Sequence, residues 1–272
     1  MTYVPLTPVD LALAALLLVV TGAVSVAFKL GLVRSISISA VRMCLQLAVV
    51  GLVLKLVLES GSALYTLLFA IVMLIATGHE AASRQERPFA GPMSMVLGAA
   101  APFLAGLLAT LFASVAIIGS DPWYAPRYLL PLLGMTIGNA LSGSILVLDA
   151  ITWSAERERA TIEARLALGQ SRLEALSDVM RRGLKAGLTP ILSAMSVTGL
   201  VSLPGMMTGQ ILAGADPVEA TKYQVMIMFL IAGANGLCVV LTALAAIFFL
   251  TDERDRLRLD RLAPNARRNG TA

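Results

Sequence analysis

The sequence predicts an all-α, polytopic membrane protein of about seven transmembrane helices with a cytoplasmic helix-Gly-helix coupling element. Of its 272 residues, 57% are apolar and 14% charged, where a soluble domain carries about 45–50% and about 25%. Seven long stretches are nearly free of charge, and about 20 such residues cross about 30 Å of hydrocarbon as a helix. Strand-like alternation is absent, which argues against a membrane barrel. A net charge of +4 with 6% aromatics also argues against a nucleic-acid platform of basic and stacking residues.

Along the chain the stretches run 11–28, 36–58, 60–78, 93–118, 128–148, somewhere within 186–215, and 223–250. No Lys or Arg precedes residue 29, so the first lacks the basic n-region of a cleaved signal peptide and is expected to stay as a helix. The second contains Arg42, Gln46 and Lys55. The outer loop 119–127 (GSDPWYAPR) offers Trp123 and Tyr124 as interfacial anchors. The sixth stretch has 30 uncharged residues, about 45 Å as one helix and too long for the core. It is expected to break at Leu203-Pro204-Gly205. Cys44 and Cys238 lie inside apolar runs and read as small packing residues, not as a disulfide or metal pair.

Basic residues orient these spans. Seventeen of the 21 Lys and Arg fall in the loops after spans one, three and five and in the tail, whereas only Arg127 and Lys222 fall on the other side. The expected topology is N-terminus outside and C-terminus cytoplasmic, in a bacterial inner membrane. One permease domain, 1–272, accounts for the chain. Within it, residues 152–185 form the long cytoplasmic insertion and 252–272 a cytoplasmic tail, expected to extend the last helix and fray.

Residues 158–168 and 172–184 have helix-forming composition, separated by Gly169-Gln170-Ser171. Ser171 and Glu174 match the S-x-x-E capping box. Leu173, Leu176, Met180 and Leu184 make one apolar stripe, which would lie on the membrane or on a partner; an interfacial lipid-bound helix is the plainer alternative.

The run Glu163-Ala164-Arg165-Leu166-Ala167-Leu168-Gly169 resembles the E-A-A-x-x-x-G signature of ABC transporter permeases, departing from it at Arg165. The I-x-L-P ending is absent from its usual distance, where Val179-Met180-Arg181-Arg182 stands. The runs LPGMMTGQILAG (203–214), Pro131-Leu132-Leu133-Gly134-Met135 and Gly138-Asn139-Ala140-Leu141 resemble the FetB-type iron-export permeases. That family also includes plant aluminium-tolerance permeases, and the likeness spans roughly residues 8–250. It implies a half-transporter in which two permease chains, as a homodimer, work with two copies of a separate cytosolic ABC ATPase. The exported species would be iron, another metal ion or a metal-linked solute. Glu163, Ala164, Leu168, Gly169 and Leu173 would then dock on the ATPase, the glycine permitting close approach or a positive φ. No G-x-x-x-x-G-K-[ST] occurs in the chain, so ATP would be bound by the partner; no cofactor and no enzymatic role fall to this chain.

A broken sixth helix would free backbone groups beside a water-filled path, with Met206, Met207 and Gln210 near one face. Thioethers suit soft ions, so they add little to an iron assignment; flexible core packing is the plainer reading and any metal ligands stay unknown. Asn139 and Ser142, with Thr136, are candidates for the same path, whereas Gly134, Gly138 and Ser142 also make a small-residue seam for a close helix or a dimer. Arg42 is explained by snorkelling as well as by function, and His79-Glu80 reads as a solvated loop. An ion-coupled secondary transporter is the alternative function, although it needs charged relays that the spans scarcely offer. An intramembrane enzyme lacks its motifs.

Overall fold

The computed structural model describes residues 7–263. Ten α-helices account for most of them: α1 (Pro8–Ala27), α2 (Val33–Ser60), α3 (Ala63–Arg84), α4 (Met93–Phe112), α5 (Pro126–Arg157), α6 (Arg159–Ala167), α7 (Arg172–Ala175), α8 (Ser177–Val197), α9 (Gly205–Leu212) and α10 (Pro217–Leu250). A π-helical turn, Ala113–Ile118, prolongs α4. No strand occurs among the described residues, only isolated bridges. Local chemistry starts the helices where the sequence places prolines and short polar side chains. Thr7 and Asp10 close a capping box around Pro8 at the start of α1, Pro126 opens α5, and the Asp216 carboxylate accepts the Val218 and Glu219 amides of the first turn of α10. Proline at N1 loses no helical hydrogen bond.

The central bundle is α4, α5, α8 and α10, with α3 packed on α4 and α5. Missing side chains set the closest approaches. A Cβ at Gly187 would lie 2.5 Å from Val147 Cγ2 and 2.9 Å from the Gly143 carbonyl, and one at Gly183 would lie 2.8 Å from Ile151. Ile191 clusters with Leu132 and Ile227. As α8 advances, its neighbours on α5 and α10 recede in number, so α8 runs antiparallel to both. It therefore returns the chain from the far end of α5 to the start of α10.

Among the described residues, six helices are long and apolar enough to cross a membrane: α1, α2, α3, α4 with its π turn, α5 and α10. The protein is a polytopic helical membrane protein. The expected sixth span differs because α8 continues straight out of the 152–185 insertion and carries Asp178, Arg181, Arg182 and Lys185 in its first half. Its apolar part is correspondingly short. The break comes earlier than expected, over 198–204, where Gly199 at φ +96° closes a small turn and bridges join Thr198 to Ser202. Pro204 then leads into α9.

Three further expectations are corrected. Residues 251–263 do not extend α10 but turn back as a folded hook, with Phe89 bridged to Leu262 and Thr251 to Leu257; residues 264–272 lie outside the described part. The stripe expected on a membrane or partner surface packs inward instead, except for Leu173. Leu176 is fully buried with Ile151, Ile162 and Val179, and Met180 and Leu184 pack on the same cluster. Finally, His79 and Glu80 belong to α3 itself. By contrast α1 and α2 are almost bare, with Ser25 and Val57 their only buried residues. Lipid or another chain must cover such apolar surface.

Candidate functional site

At the end of the bundle beyond α5, α6 and α7 form a short hairpin. The apolar underside, Ile162 with Leu176, anchors it in the core. Ion pairs fasten its base: Arg182 to Glu158 at 2.7 Å and Arg165 to Asp178 at 2.9 Å, while Arg165 also donates to the Ala175 carbonyl at 3.3 Å. The second arm starts with the expected capping box, in which Ser171 N–H and hydroxyl donate to Glu174 at 2.9 and 2.8 Å. Those two donors hold the Glu174 carboxyl below the usual carboxylate range, the backbone N–H contributing most.

The tip is left uncovered. Leu168 is 84% exposed and Leu173 39%, while Glu163 and Ala164 are exposed on the outer side of α6. Among the described residues Glu163 makes only an i,i+4 pair with Arg159, at 2.8 Å. All five residues expected to meet an ATPase thus sit on one projection, beside a concavity of about 630 Å³ lined by Arg165, Leu168, Leu173 and Asp178. Gly169 adopts φ +86° and a Cβ there would touch nothing within 4 Å. The glycine serves the backbone conformation, and within this chain no close approach requires it.

The hook is a component that the sequence reading missed. Arg261 Nη1 donates to the carbonyls of Phe249 at 2.8 Å and Thr251 at 3.2 Å, closing the C-terminal end of α10. The Ala90 amide donates to Arg261 O at 2.8 Å and the Ala263 amide to Pro88 O at 2.9 Å, tying the hook to the α3–α4 loop. Asp255 pairs with Arg172 of α7, whose guanidinium also lies 5.3 Å from the Phe248 ring centroid. The hairpin is thereby linked to α10 and to the α3–α4 loop. Inside the hook, the Arg256 amide holds the Asp252 carboxyl at about 2, and the Arg258 guanidinium holds Asp260 at about 2.

The five candidate pathway residues are not brought together. Met206 and Gln210 line a cavity of about 700 Å³ with Arg127, Tyr128, Met135 and Met226. Gln210 Oε1 is buried there with no hydrogen-bond partner among the described residues. Met207 is half-buried and does not line that cavity. Asn139 and Ser142 lie on an exposed face of α5, satisfied by the Met135 and Gly138 carbonyls of their own helix. No helix packs tightly on the seam of Gly134, Gly138 and Ser142 among the described residues: a Cβ at Gly138 would meet nothing within 4 Å, and one at Gly134 would meet Met73 Cε of α3 at 3.6 Å.

A second groove, about 580 Å³, lies between α2, α3 and α5 and is lined by Arg42, Gln46, His79, Glu80, Arg84 and Gly138 among others. Glu80 accepts from Arg42 and from Arg84, the latter at 2.6 Å. Arg42 is therefore ion-paired across helices, which neither snorkelling nor a solvated His79-Glu80 loop describes. No group of three or more His, Cys, Asp or Glu side chains is arranged to hold a metal among the described residues. Cys238 is buried and Cys44 exposed, both as free thiols.

The model of the Uncharacterised protein family (UPF0014) matches residues 8–249. The UPF0014 membrane protein slr1647 of Synechocystis is 36% identical over 202 residues, covering 73% of this chain and 76% of that protein. The Probable iron export permease protein FetB of Escherichia coli is 32% identical over 236 residues, 87% of this chain and 89% of its own. Protein ALUMINUM SENSITIVE 3 of Arabidopsis thaliana is 32% identical over 223 residues, 81% and 80% of the two chains. No solved structure gives a significant match. With a family match across nearly all of the helical bundle, the chain belongs to the UPF0014 family of membrane proteins.

Proposed function

We propose that this chain is the membrane permease subunit of an ABC exporter. Two copies would work with two copies of a cytosolic ATPase, moving iron, another metal ion or a metal-linked solute out of the cytoplasm by alternating access. The observation that carries the reading is the exposed tip Leu168-Gly169 on a hairpin whose base is ion-paired and whose underside is buried. A permease that binds no nucleotide needs such a rigid projection to receive force, and an uncovered leucine beside a small concavity suits insertion into a partner groove. The E. coli relative's name, a probable iron export permease, supports the substrate class.

The basic-residue asymmetry supports a hairpin on the cytoplasmic side of a bacterial membrane, with the C-terminus on the same side. A second permease copy would cover the bare faces of α1 and α2 and the open seam of α5. Secondary transport is less well supported, since the cross-helix charge cluster ends in two arginines, which do not release protons. The test is affinity purification of the tagged full-length chain from its native membrane. The proposal expects a Walker-motif ATPase in stoichiometric amount, and its absence under conditions that preserve the permease would reject the ABC assignment.

A further inference from the structure

The groove between α2, α3 and α5 carries an unequal charge balance. Its ion cluster holds two guanidiniums and one carboxylate, and Glu80 is only 18% exposed whereas Arg42 and Arg84 are 49% and 62% exposed. Arg42 spends Nη2 and Arg84 spends Nε on Glu80. The other N–H groups of both forks have no acceptor among the described residues and border the groove. Arg42 stands nine residues into α2, about 13 Å along the helix from its start, and its partner Glu80 lies one turn before the C-terminal end of α3. One wall of the same groove is apolar, formed by Met73, Ile137 and Leu141.

From this geometry we infer that the groove is a binding site for an anion bearing phosphate or carboxylate groups. Glu80 fixes the two guanidiniums as a pair and neutralises one of their two charges, leaving a net positive fork. Planar guanidiniums with spare N–H groups match the geometry of oxyanions. His79 and Gln46 add further donors at the rim. A bare divalent cation meets the opposite situation: net repulsion, one carboxylate already engaged, and no cluster of three ligating side chains. Binding requires only that the helices lie in a membrane. Its meaning for transport rests on the permease reading, under which a metal cargo would reach the groove as an anionic chelate.

The test uses the full-length chain, without ATPase, in nanodiscs of neutral phosphatidylcholine, titrated calorimetrically with inorganic pyrophosphate and with citrate. Saturable binding is expected. Arg42→Gln and Arg84→Gln should each weaken it about tenfold, the scale of a charge-assisted hydrogen bond, and Glu80→Gln should strengthen it. A merely structural ion pair would not respond with opposite signs. Repeating the titration with phosphatidylglycerol in the discs separates the sources: competition makes a lipid headgroup the occupant, and unchanged binding makes it a soluble anion. Absence of saturable binding together with no preference for the anionic lipid would overturn the site. So would binding of Fe(II) alone that Glu80→Gln abolishes and Arg42→Gln enhances. Because no ATPase is present, failure here leaves the ABC assignment to its own test.

Discussion

Asn235 of α10 donates from Nδ2 to the Gly187 carbonyl of α8 at 3.1 Å, across a contact so close that a Cβ on Gly143 of α5 would lie 2.2 Å from Asn235 Oδ1. Three helices meet at a point where two residues have no side chain and the third is polar. Gly143→Ala should therefore lower stability by about 1–3 kcal/mol, as overpacking does in dense cores. Gly138→Ala, five residues earlier with nothing within 4 Å, should leave the single chain within about 0.5 kcal/mol of wild type. Thermal unfolding of the two variants in the same detergent checks the contrast, and equal losses would refute the packing assignment.

The hook offers a second expectation. Arg261→Ala removes both hydrogen bonds to the end of α10, which should cost about 1–3 kcal/mol locally for a charged donor. Limited proteolysis should then cut within 251–263 and within the 85–92 loop while leaving α4 and α5 intact. Cleavage at wild-type rates would show that the bridges to Phe89 and Pro88 hold the hook without Arg261.

The capping box predicts a dependence on pH. Glu174 has a carboxyl pKa lowered from 4.5 by Ser171, so the folded state binds its proton more weakly than the unfolded state does. Its contribution is complete above about pH 4.5 and is lost as pH falls through the lower folded value. Hydrogen exchange of the amides in 172–176, corrected for intrinsic rates, should show steady protection from pH 7 to 5 and declining protection below. Ser171→Ala should flatten that decline. A decline between pH 7 and 5 would point to another group.

Cysteine labelling distinguishes the two parts of the supposed pathway. Cysteines at 206 and 210 face the cavity beside Arg127 and should react with a water-soluble maleimide. A cysteine at 139, on the open face of α5, should be protected when two copies associate and exposed when they do not. Reaction at 206 and 210 only with lipid-soluble reagents would remove that cavity from any aqueous route.

The spans were legible because charge is so scarce that its few occurrences mark their ends, and the hairpin was legible because Gly169, Ser171 and Glu174 act on their own neighbours. Distance in sequence hid the rest. Arg261 finds the end of α10 only through a turn of the hook, Asp255 finds Arg172 across more than eighty positions, and a mixed-charge tail resembles a frayed one when those partners are not known. Glu80 seemed solvated because Arg42 lies 38 residues earlier. Polarity within a span carries no information about helix face, and α5 and α9 present their candidate residues to different surroundings. The tight contact forms at Gly143, which a period of four from Gly134 does not reach.

The central claim, that the exposed hairpin tip transmits force from an ATPase, is tested most directly by Gly169→Val in the reconstituted transporter. The substitution puts a β-branched residue at φ +86°, a conformation that costs L side chains about 1–2 kcal/mol, outside the transmembrane bundle. The account predicts normal membrane insertion and normal unfolding of the bundle, with ATP-driven export lost while the ATPase still hydrolyses ATP. Wild-type ATPase association and wild-type export in Gly169→Val, and again in Glu163→Lys, would contradict it.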